Sequence, residues 1–118
     1  MKLVSLRVIT HDVARLVEFY ERTTRLEAHW RTEQFAELVG PSCTLAIGSA
    51  NTTGAAVPES NRTAIIEFRV EDVDREYERL AGQDVEFVQK PTTMPWGNRS
   101  LLFRDPDGNL INFFAPPA

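Results

Sequence analysis

Few side chains in this sequence are equipped for chemistry, and they are scattered. The chain has two histidines, His11 and His29, and one cysteine, Cys43. Imidazole and thiolate are the usual neutral-pH ligands and nucleophiles. His11 stands beside Asp12 at the end of an apolar run, a place suited to a solvated turn. His29 lies on a short strand-like segment, with Glu37 on the next one as a conceivable partner, but two ligands make a poor metal site. Cys43 opens an apolar stretch and reads as a buried or half-buried structural thiol. No serine-histidine-aspartate arrangement, phosphate-binding glycine loop or zinc-ribbon spacing is found.

The elements that must position these residues come in two similar sets. Asp12-Val13-Ala14-Arg15 recurs as Asp72-Val73-Asp74-Arg75. Each copy follows an apolar run, residues 3–9 and 64–70. Each opens a helical pattern: Val13, Leu16, Val17 and Tyr20, then Val73, Tyr77, Leu80 and Ala81, fall on one face at a 3.6-residue period. Asp12 and Asp72 are suitable N-caps, because a carboxylate accepts the free N–H groups of a first helical turn. Gly82 is a reasonable stop for the second helix. Three strands should follow each helix: 27–32, 35–39 and 43–48, then 84–89, 98–104 and 109–114. Asp105-Pro106-Asp107-Gly108 makes the last turn. The polar segment 49–62 reads as an exposed linker.

Composition narrows the function classes. The chain has 118 residues, 42% hydrophobic and 25% charged, with a net charge of -4. That suits one globular domain and gives no basic surface for nucleic acid or an anionic membrane. No apolar run approaches a membrane span. The first residues lack a signal-peptide layout, and one cysteine cannot staple a fold, so the cytoplasm is the expected location.

Two strand–helix–three-strand modules ending in a strand–DPDGN–strand hairpin resemble the vicinal oxygen chelate superfamily, the glyoxalase/bleomycin-resistance/dioxygenase family. The resemblance rests on residues 8–20, with Phe19-Tyr20 inside the helix, and on Phe68-Arg69-Val70-Glu71-Asp72-Val73. Its most specific stretch is Pro95-Trp96-Gly97-Asn98-Arg99 before Phe103-Arg104-Asp105-Pro106-Asp107-Gly108-Asn109-Leu110-Ile111. It implies an α+β fold: two βαβββ modules forming a cup-like half-open barrel over a single domain, residues 1–118. Module one spans about 1–50, the linker about 51–62 and module two about 63–118. It also implies a homodimer, with ligand and, in the enzymes, a divalent metal held in the cup.

Metal-using members carry a histidine or glutamine seven residues before each capping aspartate, and a glutamate or similar donor on each module's last strand. Here the first pair is Ser5 and Ile65. The last-strand residues are Asn112 and, by a looser alignment, Ala46. Isoleucine and alanine have no donor, and serine and asparagine are weak neutral ones, so no divalent metal or other cofactor is expected.

Strand alternation places Arg7 and Glu67 on the face of Ser5 and Ile65, with Leu6, Val8, Ile66 and Phe68 toward the helices. Arg7 and Glu67 are expected to pair near the pseudo-two-fold axis. Trp30, Phe35, Trp96, Phe103 and Phe114 fall on or beside the cup strands, where aromatic walls suit an organic ligand. Trp30 and Trp96 stand first among them, with Arg99 and Asn112 supplying polar contacts. The expected ligand-binding set is therefore Ser5, Arg7, Trp30, Phe35, Ile65, Glu67, Trp96, Arg99, Phe103 and Asn112, with no catalytic residue. The function this favours is metal-free binding of a small hydrophobic or aromatic molecule, such as antibiotic sequestration. The alternative is a glyoxalase-like lyase, isomerase or dioxygenase with an unusual or absent metal site. A third reading is a dimerisation domain with a vestigial pocket.

Overall fold

A computed structural model of the chain describes residues 1–117. Among the described residues, eight strands, two α-helices and one 3-10 turn (Ala50–Thr52, after β4) run in the order β1 (Ser5–Thr10), α1 (Val13–Thr24), β2 (His29–Thr32), β3 (Phe35–Val39), β4 (Thr44–Ser49), β5 (Ile65–Arg69), α2 (Val73–Ala81), β6 (Glu86–Thr93), β7 (Arg99–Arg104) and β8 (Leu110–Ala115). This is α+β architecture with βαβββ used twice. The chain divides into two compact units, one ending at Ser60 and the other beginning at Asn61. Each holds one open four-stranded sheet, ordered β1-β4-β3-β2 in the first and β5-β8-β7-β6 in the second. In each sheet the first and last strands of the module run parallel and the remaining pairs antiparallel.

The helices start where the repeated aspartates predict. Asp12 Oδ1 accepts the Arg15 N–H at 3.1 Å, and Asp72 Oδ1 accepts the Arg75 N–H at 3.1 Å. Both caps have extended backbone. Such a cap contributes about 1 kcal/mol by satisfying an amide with no intrahelical partner. The two stops differ. Arg25 closes α1 in the left-handed region at φ 62, its N–H donating to the Glu21 carbonyl. Gly82 follows α2 at φ -84, so that stop makes no use of glycine's left-handed freedom.

The strands keep their expected order, with shifted ends. β6 runs on to Thr93, beyond the expected Gln89, because two register shifts let it stay paired with β7. Residues 27 and 28 lie outside β2; the Ala28 N–H instead donates to the Glu21 side chain at 2.9 Å. Cys43 is exposed, a correction to the buried thiol expected of it: it precedes β4 in the turn where Gly40 N–H meets the Cys43 carbonyl at 3.0 Å.

Each helix covers one face of its own sheet. In the first unit Leu16, Val17 and Tyr20 are buried, as are Ala36, Leu38, Leu45 and Ile47 of the sheet. In the second unit Val73 and Leu80 are buried with Ile66, Leu101, Phe103, Ile111 and Phe113. Phe103 meets Phe113 edge-on at 4.9 Å, and Tyr77 of α2 meets Phe87 at the same distance. These apolar faces drive assembly. They leave the opposite face of each sheet, here termed the far face, free of helix.

Candidate functional site

Strand register assigns every predicted site residue to a face, because directly opposed residues share one side of a sheet. In the first sheet Arg7, Ala46, Glu37 and His29 form a row across β1, β4, β3 and β2. Ser5 lies on the same face, opposite Thr44. So does Phe35: it opposes Gly48, and a side-chain carbon on Gly48 would sit 3.3 Å from the Phe35 ring. Glu37 is ion-paired with Arg31, so the carboxylate opposite His29 is already engaged.

Trp30 does not join this group. It opposes buried Ala36, which places it on the helix side of the edge strand β2, 47% exposed. The expectation that Trp30 faces a ligand with Arg7 and Ser5 is thereby corrected. The cause is parity: Trp30 is one residue from His29, and one residue reverses the face. Leu6 lies on the helix side as expected but stays 42% exposed near the strand's start.

In the second sheet the far face carries three rows. They are Ile65, Leu110, Arg104 and Glu86; Glu67, Asn112, Leu102 and Gln89; and Arg69, Phe114, Ser100 and Thr92. A hydrogen-bonded chain crosses three strands. The Ser100 hydroxyl donates to Asn112 Oδ1 at 2.6 Å, and Asn112 Nδ2 donates to Glu67 Oε2 at 2.8 Å. Ser100 is only 6% exposed, whereas Glu67 is open to solvent. The carboxylate only accepts, so it takes the NH2 end of the amide, and the buried hydroxyl donates to the oxygen left at the other end. Gln89 Nε2 supports the same place by donating to the Ser100 carbonyl at 3.4 Å. Within its own sheet, then, the partner of Glu67 is Asn112.

Arg99 and Phe103 belong to the other face. Phe103 is fully buried in the core under α2, so it offers a ligand no surface. Arg99 opposes Ala115 and reaches α2, where Nη2 and Nε donate to the two Asp74 carboxylate oxygens at 2.8 and 3.1 Å. Both expectations are corrected by the same parity rule. Trp96 sits at the β6–β7 hairpin tip, 68% exposed, between Pro95 and a glycine at φ 103 that packs against Pro117. It lies in a turn, and the paired residues of neither sheet face include it.

The Arg99–Asp74 fork makes a pH-dependent contribution to stability. The hydrogen bonds from Arg99 hold the Asp74 carboxyl below its ordinary value of 3.8, with the guanidinium charge adding to the effect and desolvation opposing it. A lowered folded-state pKa stabilises above the ordinary carboxylate value, and the gain is lost as acid titrates the group through its lowered one. Asp74→Asn should therefore be less stable than wild type at neutral pH, the gap closing as acid carries the pH below the ordinary carboxylate value of 3.8 and on through the lowered one. Urea midpoints across that range check it. A gap that persists unchanged in acid would rule out the fork as its source.

The donors at the family's metal positions do not suit a divalent ion. Ser5 and Asn112 are neutral, and Ala46 and Ile65 have no donor atom. Register supports the looser alignment, since Ala46 opposes Arg7 as Asn112 opposes Glu67. The Asn112 oxygen is also engaged by Ser100. Among the described residues, no three His, Cys, Asp or Glu side chains gather as a metal-holding group.

Duplicated βαβββ units, with ligand-capable positions on the faces turned from the helices, define one structural class. The chain belongs to the Glyoxalase/Bleomycin resistance protein/Dioxygenase superfamily, whose family model matches residues 2–113. It is 30% identical to the uncharacterized protein YraH of Bacillus subtilis (strain 168), over 97% of this chain and 98% of that one. It also resembles the crystal structure of a glyoxalase/bleomycin resistance protein/dioxygenase from Nocardioides. That match has 30% identity, a TM-score of 0.81, and covers 99% of this chain and 84% of that one. A glyoxalase/bleomycin resistance protein/dioxygenase family enzyme from Burkholderia phytofirmans PsJN shares the fold at a TM-score of 0.85, with 13% identity and 98% of each chain covered.

Ser100, Gln89 and Leu102 were missed by sequence reasoning. Ser100 gave a faint signal, being the one uncharged polar residue in the run Arg99-Ser100-Leu101-Leu102-Phe103. Its period-2 position shares a face with Leu102, which only the strand's register could orient.

Proposed function

We propose that the protein binds a small hydrophobic or aromatic organic molecule without a divalent metal, as a homodimer in the cytoplasm; antibiotic sequestration is one such role. The observation that carries this reading is the state of Asn112. Where metal-using relatives place a donor on the last strand, this chain has an amide committed at both ends, to Ser100 and to Glu67. Such an amide presents an ordered polar spot for an organic guest, and half-buried Leu102, Leu110 and Phe114 supply apolar area beside it. The dimer rests on the family resemblance. No helix among the described residues is long and apolar enough to cross a membrane.

Metal analysis and ligand screening test this together. Purified protein should carry no stoichiometric divalent ion, and added zinc, manganese or nickel should leave the melting temperature unchanged. A library of apolar and aromatic compounds should contain members that raise it, by mass action on the folded state. A stoichiometric ion whose removal destabilises the protein would favour the lyase, isomerase or dioxygenase alternative. Calorimetry is a better second readout than tryptophan fluorescence, because Trp30 lies on the helix side and Trp96 at a hairpin tip.

A further inference from the structure

Resting on that reading, we infer that the far face of the second sheet takes an organic cation, a protonated amine or amidine joined to an apolar body, with its nitrogen seated on Glu67. The argument begins with what Glu67 already has. Its Oε2 takes one hydrogen bond from Asn112. Among the described residues, Glu67 forms no ion pair. The carboxylate is thus held in one orientation with acceptor capacity left over. Its support is built inward: Asn112 behind it, and nearly buried Ser100 behind Asn112.

The surroundings favour a cation over a neutral or acidic guest. Ile65 precedes Glu67 on the same face, Leu110 and Phe114 flank Asn112, and Leu102 stands beyond it. A charge-assisted hydrogen bond in such apolar company is about twice as strong as a neutral one. Phe114 lies diagonal to Glu67 on this face and adds aromatic area. Arg104, Glu86 and Arg69 also stand on this face. Arg104 is paired with Glu86 at 3.4 Å. Arg69 stands two residues along β5, about 7 Å from Glu67 at strand spacing. It lines a cavity of about 560 Å³ with Val70, Glu71, Ala115 and Pro116 at the strand's end. Glu67 is the acidic group on this face not already paired with a cation.

Three phenyl probes of matched size test the inference: phenethylamine, 2-phenylethanol and phenylacetate, titrated by calorimetry and by amide NMR shifts. Phenethylamine should bind wild type about tenfold more tightly than either of the others, with shifts centred on β5, β7 and β8. Glu67→Gln, which keeps shape and exposure, should remove the amine's advantage over the alcohol. Equal binding of amine and alcohol at this face, or an amine advantage that survives Glu67→Gln, overturns the cation preference while the binding reading stands. Phenylacetate binding most tightly does the same. No probe shifting residues of this face overturns the inference, and the library screen then decides the binding reading separately.

Discussion

Phe103→Ala is expected to cost about 3–5 kcal/mol of unfolding free energy, the range for deleting a fully buried aromatic ring. The ring has no exposed surface and sits edge-on to Phe113 at 4.9 Å and to Phe87 at 6.4 Å. Removal leaves a cavity among three strands of the second sheet, where backbone pairing limits collapse. Domains of this size are stable by about 5–15 kcal/mol, so the loss would be a large fraction of the total. Trp96→Ala makes the contrast. Its side chain is larger but sits exposed at a turn, and its removal should change stability by less than about 0.5 kcal/mol. Urea denaturation of both variants decides the matter. A Phe103→Ala loss below about 1 kcal/mol would mean the ring is not the core residue described here.

The second large effect lies in the last turn. Asp105 is buried, and its Oδ1 accepts the backbone N–H groups of Asp107 and Asn109, both at 2.9 Å, while Oδ2 accepts Asn109 Nδ2 at 2.8 Å. The network continues: Asn61 Nδ2 donates to Asn109 Oδ1 at 3.1 Å, and Asn61 Oδ1 takes the Ala64 N–H at the entry to β5. Asp105→Ala strands these donors, each costing about 1–3 kcal/mol if left unpaired in the interior, for a total of about 3 kcal/mol after relaxation. Asp105→Asn should cost less, since one oxygen remains to accept both backbone amides. Faster hydrogen exchange at Asn109 and Ala64 in Asp105→Ala would trace the network, whereas exchange confined to residues 105–109 would show that Asn61 is held by other means.

These two sites also show what each stage of inference reaches. Asp105-Pro106-Asp107-Gly108 is legible as a turn because proline and glycine restrict the backbone locally. That its first carboxylate would be buried and linked through Asn109 to Asn61 was not legible, since the Asn61–Asn109 contact spans 48 residues. The repeated aspartate caps were legible for the same local reason, and the structure has both.

The assignment of residues to faces was harder. Ser5, Arg7, Ile65 and Glu67 lie on the expected sheet face because counting back from a helix cap fixes their parity, and Asn112 does so by its place after the DPDGN turn in the family pattern. Trp30, Arg99 and Phe103 were grouped with them on residue type alone, as large or charged side chains suited to a ligand. Parity on β2 and β7 depends on the turns before those strands, and a single residue's shift there exchanges the two faces.

By itself, then, the sequence determined the order of elements, the duplicated plan and, at the positions the family resemblance assigns to metal ligands, residues that are neutral or have no donor atom. Those depend on local periodicity, capping and residue identity. Only the tertiary structure decided which side chains share a face and which atoms meet: Ser100 with Asn112, Asn112 with Glu67, Arg99 with Asp74. Such pairings depend on register between strands distant in the chain, and hydrogen-bonded contact is a matter of tenths of an ångström that no spacing rule carries.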